Sequence, residues 1–345
     1  MSESRAIRSL MHLETEEAGT VARQIAQENR SVFAEVACEI VRRDINLVLT
    51  NGRGSSDHAS VFGKYLIMQK LGLPVASGAP SIASIHGRLI AGPNSLCLSI
   101  SQSGGSDDIV KFADHARSGG AYSVALINQA NSPLEAATDK TIPLCAGEEK
   151  SVAATKTYIA SLVSIIWLVA YWAEDQDLIC QLESLPDLLE EAATLDWSSP
   201  LSMLKDYSGL SVIGRGLGLG IANEAALKFK ETCQIHAEAF SSAEYSHGPL
   251  ALSGPEFPAL VFAQDDDTLV STRGLAKQLL DVGAPVLLAG AEMPGAISLP
   301  TIDAPSALQP LLMIQSFYSA VADLSLELGL DPDSPPVLRK VTKTL

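Results

Sequence analysis

Residues 96–117, LCLSISQSGGSDDIVKFADHAR, change character twice within 22 positions. Leu96 to Ile100 is an apolar run of the length of a buried strand. From Asp107 onward, Ile109, Val110, Ala113 and Ala116 recur with helical spacing. Between the two lie Ser101, Gln102, Ser103, Gly104, Gly105 and Ser106. The reading is strand, small polar turn, helix N-terminus. Such a turn offers free N–H groups, hydroxyl donors and close backbone approach, which suits an anion such as phosphate. The same residues also read as an ordinary N-cap, since Ser before Asp starts many helices.

Working outward, the alternation repeats. Ile45–Thr50, Pro74–Ser77, Tyr122–Asn128 and Thr141–Leu144 read as strands, and 9–43, 58–71 and the apolar run 159–173 as helices. A helix is expected over 182–195, and the polar Trp197-Ser198-Ser199-Pro200 marks a boundary. Then the pattern starts again. Gly209–Ile213 is a strand before Gly214-Arg215-Gly216, as Val48–Asn51 precedes Gly52-Arg53-Gly54. Ala259–Ala263 with Gln264–Asp267 parallels the Ser101 turn, and Pro285–Ala289 parallels Tyr122–Asn128. The expected fold is α/β, with two tandem doubly wound parallel sheets of flavodoxin-like type related by internal duplication. The expected units are an N-terminal helical segment (1–43), a first domain (44–195), a second domain (196–330) and a tail (331–345). The second copy carries Asp265, Asp266 and Asp267 where the first has its serines, so only the first retains an anion grip.

Composition bounds the function. With 47% hydrophobic and 19% charged residues, 345 positions can build a large core. A net charge of −16 argues against nucleic acid and acidic membranes as partners, though not against a small phosphorylated ligand held by local donors. The scattered Cys38, Cys97, Cys145, Cys180 and Cys233 read as reduced, buried thiols of a cytoplasmic protein. No signal-peptide pattern opens the chain, and the 159–173 run is short for a membrane span.

Two stretches carry candidate chemistry. In Asn223–Glu231, Glu224, Lys228 and Glu231 share a helix face. Spacing alone reads as a solvated salt-bridge face; a lysine between two carboxylates could also tune a proton-transferring group. His247, before Gly248-Pro249, must lie in a turn, where an imidazole can act as acid or base. The nearby His236, Glu238 and Glu244 do not match the spacing of a helical zinc motif, and no metal is expected.

Taken together, GRGSS, SQSGGS, EEKSVAATKTY, NEAALKFKE, HAEAFSSAEYSHGPLAL and PPVLRKVTKTL resemble the sugar isomerase (SIS) domain family. The similarity runs from about residue 10 to the C-terminus and includes the isomerase half of glutamine–fructose-6-phosphate aminotransferase. It implies that Ser55, Ser56, Ser101, Gln102, Ser103 and Ser106 surround a sugar phosphate, and that Val152, Ala153, Ala154 and Lys156 line the sugar. It implies Glu231 as the base between C1 and C2, with Glu224 and Lys228 beside it. His247 would come from the partner subunit of a homodimer with shared active sites, and Lys340 would approach C2. No cofactor is implied. Gly105 stands where the family's SQSGET has Glu, and Ala154 where its VASTK has Ser. No glutaminase segment precedes residue 10, so the expected reaction is the ammonia-releasing one, as in SIS-type glucosamine-6-phosphate deaminases. A fructosamine 6-phosphate deglycase, a related isomerase, or a non-catalytic sugar-phosphate sensor are the alternatives.

Overall fold

The structure, a computed structural model, describes residues 8–88 and 91–340. Two parallel five-stranded sheets carry it. The first contains β1 (Leu47–Asn51), β2 (Val75–Ser77), β3 (Ser95–Ser101), β4 (Tyr122–Ile127) and β5 (Lys140–Pro143) in the order β2-β1-β3-β4-β5. The second contains β6 (Gly209–Gly214), β7 (His236–Ser241), β8 (Ala259–Phe262), β9 (Val286–Ala289) and β10 (Ile297–Leu299) in the order β10-β9-β8-β6-β7. Read from opposite ends, the orders are the same: first strand inside second, then a reversal toward the third. Every ladder between these strands is parallel. The duplication is therefore one of topology as well as motif, and each sheet has its switch point beside its first strand, where α/β proteins form clefts.

Strands β3 and β4 are buried along their whole length, as continuous apolar runs in a covered parallel sheet should be. The Lys156–Trp172 helix, apolar on nearly all sides, is buried on all but one residue and packs against the Ala18–Arg42 helix. A single hydrophobic cluster runs from Met11 through Trp167 to Leu324 and joins both sheets.

Local differences from the sequence reading have simple causes. The expected 182–195 helix is two, Gln176–Leu182 and Leu185–Ala192, because Pro186 fits only a helical first turn. The expected 9–43 helix divides at Glu17 into Leu10–Glu16 and Ala18–Arg42. Helix Ser55–Leu71 begins three residues earlier than expected, which puts Ser55 and Ser56 in its first turn. His236–Ser241, read for His236 and Glu238, is the edge strand β7. Cys38 and Cys180 are exposed and Cys145 half-buried, so only Cys97 and Cys233 match the expectation of buried thiols. Among the described residues no helix is long and apolar enough to cross a membrane.

One contact between the units positions the site. The Ser55–Leu71 helix of the first packs on the Gly218–Cys233 helix of the second. Gly220 makes the close approach possible: a Cβ there would stand 2.9 Å from the Phe62 Cβ and 3.0 Å from its backbone nitrogen.

Candidate active site

The C-terminal ends of β1 and β3, the Glu149–Thr155 segment and the tail enclose a cavity of about 370 Å³. Ser55, Ser56, Ser101, Gln102, Ser103, Ser106, Val152, Ala154, Glu231 and Lys340 all line it. The serine turn has the geometry of a cradle. Ser101 Oγ accepts from the Gly104 N–H at 2.9 Å, which leaves its own proton to donate. Gly104 has φ +61°, and a Cβ there would sit 2.2 Å from Ser132 Oγ, so no side chain is tolerated. Ser106 is the N-cap residue of the Asp107–Ser118 helix, yet its hydroxyl makes no capping bond. The plain N-cap reading thus leaves that hydroxyl unexplained. In the second copy the corresponding turn is closed on itself: Asp266 accepts from the Thr268 backbone and hydroxyl and from the Gln264 amide.

Glu224 and Lys228 do not form a solvated face, because both are completely buried where the two units meet. The Glu224 carboxylate accepts from Ser55 Oγ (3.0 Å), His58 Nδ1 (3.0 Å), Lys228 Nζ (3.1 Å) and Tyr318 Oη (3.3 Å). Lys228 Nζ also reaches Glu231 Oε2 at 2.7 Å and Ser55 Oγ at 3.3 Å. Burial by itself would raise the Glu224 pKa. The Lys228 ammonium and the His58 contact outweigh it, so the group is held below the usual carboxylate value. Burial would likewise lower Lys228, but its two carboxylates push it above the usual lysine value. Glu231 is the one member of this trio on the cavity wall, with 21% of its side chain exposed. A carboxylate with one oxygen fixed and part of its side chain exposed on a cavity wall meets the first geometric requirement for proton transfer.

The tail closes one side. Lys340 Nζ donates to Glu149 Oε2 (3.0 Å) and to the Ser151 carbonyl (2.7 Å). Glu149 is buried and also accepts from the Thr155 and Thr157 N–H groups, at 2.9 and 3.2 Å. It thereby ties the tail to the 149–157 segment that carries Val152 and Ala154. Asp333 holds the tail's start, its carboxylate taking the Leu10 and Met11 N–H groups at 2.8 Å each. Residues 341–345 of the expected tail lie outside the described residues.

Besides the buried Glu224 and Lys228, three further expected residues do not line the cavity. Burial alternates along 151–155, so Val152 and Ala154 face the cavity while Ala153 is fully buried behind them. Lys156 does not line the cavity either: it begins the next helix, and its Nζ pairs with Glu17 at 2.5 Å on another surface. His247 is exposed in a turn and does not line this chain's cavity. The sequence reading missed His58, Tyr318, Glu149 and Arg53. Arg53 lies inside the Gly-Arg-Gly turn that marks the repeat and Glu149 inside the EEKSVAATKTY motif; neither position by itself tells what the side chain meets.

Comparison with known proteins agrees with this architecture. The SIS domain profile matches residues 43–171 and 203–292. The chain is 36% identical over 264 residues to the isomerizing glutamine–fructose-6-phosphate aminotransferase of Thermotoga maritima, covering 70% of this chain and 43% of that relative. It spans about half the length of the curated relatives it matches. Among solved structures, a candidate phosphosugar isomerase of Silicibacter pomeroyi DSS-3 superposes with TM-score 0.89 at 39% identity, covering 94% of this chain and all of that one. The glucosamine-6-phosphate deaminase of Thermotoga maritima shares the fold, with TM-score 0.73 at 19% identity over 97% of this chain and all of that one. The paired sheets, the serine cradle and the profile matches in both halves identify the chain as a member of the SIS domain family.

Proposed function

We propose that this chain is an amino-sugar-phosphate isomerase working in the deaminating direction, a glucosamine-6-phosphate deaminase. The observation that carries the reading is Glu231. Its Oε2 is fixed on buried Lys228 at 2.7 Å, and it shares one cavity with the Ser101–Ser106 cradle. The phosphate docks on the cradle. His247, contributed by a second copy in a homodimer, assists ring opening to the C1 aldehyde. Glu231 takes the C2 proton while the C1 oxygen gains one, and the enolamine is then protonated at C1. This leaves a C2 imine. Water adds at C2, ammonia leaves, and the products are fructose 6-phosphate and ammonia. Lys340, reaching the cavity from the tail, adds a cation near C2. No cofactor is required, because the C1 carbonyl acidifies the C2 proton. Water is abundant and free ammonia dilute, which favours release over amination.

A coupled assay for ammonia and fructose 6-phosphate on glucosamine 6-phosphate tests the reading. Glu231→Gln is expected to cut turnover by about 10²–10⁴-fold, the usual contribution of a positioned general base. Normal turnover in that variant would refute the assignment. One observation favours the runner-up, a fructosamine 6-phosphate deglycase. A Cβ at Gly105 would meet only Ser103 Oγ, at 3.8 Å, and Ala154 is small, so a larger substituent has room. Faster turnover of an amino-acid conjugate than of the free amino sugar would select it.

A further inference from the structure

Arg53 lines the same cavity as the serine cradle, on the turn between β1 and the Ser55–Leu71 helix. About half of its side chain is exposed, yet it is not free to wander. Its Nε and Nη2 both donate to Asp108 Oδ2, at 3.0 and 2.8 Å. Asp108 is itself 98% buried, and its Oδ1 accepts from the Ile109 N–H at 2.9 Å. A buried carboxylate anchored in the first turn of the Asp107–Ser118 helix therefore grips one edge of the guanidinium. The opposite edge, Nη1, makes no hydrogen bond to a described residue.

The cradle by itself is poorly charged for a dianion. Its three serines and one amide are neutral, and its helix starts with Asp107 and Asp108, which already complement the positive end of the dipole. Glu231 adds another negative charge to the wall. The other cations there are committed or peripheral. Lys340 is tied to buried Glu149, and Arg339 is exposed on the tail. A fork-shaped cation with a fixed orientation and an unused edge suits the planar geometry of phosphate oxygens.

We infer that Arg53, oriented by Asp108, is the cationic half of the phosphate site. It makes the cavity selective for the dianionic phosphoester over a neutral sugar or a monoanionic sugar acid. The inference rests on the proposed reading of this cavity as a sugar-phosphate site, and it assigns Arg53 to binding and selectivity, with Asp108 as its positioning residue.

The test measures binding and turnover separately. Fructose 6-phosphate, fructose and gluconate are titrated by calorimetry into the wild-type chain, Arg53→Gln, Arg53→Lys and the Arg53→Gln/Asp108→Asn double variant. The double variant removes both charges of the Arg53–Asp108 pair together, so it keeps the test valid if Arg53→Gln fails to fold. Loss of one charge-assisted contact predicts about 10- to 100-fold weaker fructose 6-phosphate binding in the glutamine variants. Arg53→Lys should lie between, and the salt dependence of binding should flatten with the charge. In turnover, the loss should fall on KM more than on kcat. Equal affinity and equal salt dependence in wild type and Arg53→Gln would overturn the inference, as would a wild type that binds fructose as tightly as its phosphate. If phosphate binding weakens as expected while the wild type fails to release ammonia from glucosamine 6-phosphate, this inference stands and the deaminase reading fails.

Discussion

Removing the Lys228 ammonium isolates the physics of the site. In Lys228→Met the fully buried Glu224 keeps His58, Ser55 and Tyr318 but loses its full-time positive partner. Stripping one partner from a buried ion pair typically costs about 3–5 kcal/mol. Unfolding entropy scales with length, so the 345-residue chain should have about 0.7 kcal/mol/K at its midpoint. The expected loss is roughly 4–7 °C in Tm, followed by circular dichroism. The units share one core cluster, so the transition should move as a whole. Glu224→Gln/Lys228→Met, which removes both charges, should recover much of the loss. The pH dependence carries a sign. In the wild type the folded Glu224 pKa lies below its unfolded value. The unfolded state then binds more protons in the acid range, so stability is present above the unfolded carboxylate pKa and lost as pH falls through the folded one. Lys228 has the opposite shift: its contribution is present below the unfolded lysine pKa and lost as pH rises through the folded one. In Lys228→Met, burial should dominate and raise Glu224. Stability near that carboxylate should then fall with rising pH where the wild type gains. A Lys228→Met protein as stable as wild type at neutral pH, or a double variant no more stable than the single one, would refute the buried-pair account.

Two further outcomes test the geometry. Gly104→Ala puts a Cβ 2.2 Å from Ser132 Oγ at φ +61°, so the cradle must distort. Fructose 6-phosphate binding should weaken at least tenfold by calorimetry with a loss of stability of about 1–3 kcal/mol. Gly220→Ala drives a methyl into the Phe62 backbone and should spread the two central helices. About 1–3 kcal/mol of stability should go, measured by urea unfolding, together with a loss of turnover as Ser55 leaves Glu224.

Much of this arrangement was legible in the residue order. An apolar run such as Leu96–Ile100 read as a covered strand, and the spaced Gly-Arg-Gly turns announced the repeat that the matching strand orders bear out. The Ser101–Ser106 turn announced itself because strand ends and helix starts bring backbone donors together locally. Burial was not legible. Glu224, Lys228 and Glu231 at helical spacing look like any surface ion-pair row. They become an ion-pair network with two buried members because a helix from the first unit and Tyr318 from a third element cover Glu224 and Lys228. For the same reason the role of His58 carried no signal, since its partner Glu224 lies more than 160 residues away, and the tie of Glu149 to the tail lysine was equally hidden. Lys156 was misread by the same blindness: adjacency to Val152 and Ala154 could not tell which way its side chain turns.

The sequence by itself determined the elements, the duplication and the polar turn, because each depends on periodicity and short-range backbone chemistry. Tertiary structure alone decided which charges lose water, which lysine faces the cavity and which arginine stands beside the serines. Those outcomes depend on desolvation and direction, and both are set by what distant segments lay against each side chain.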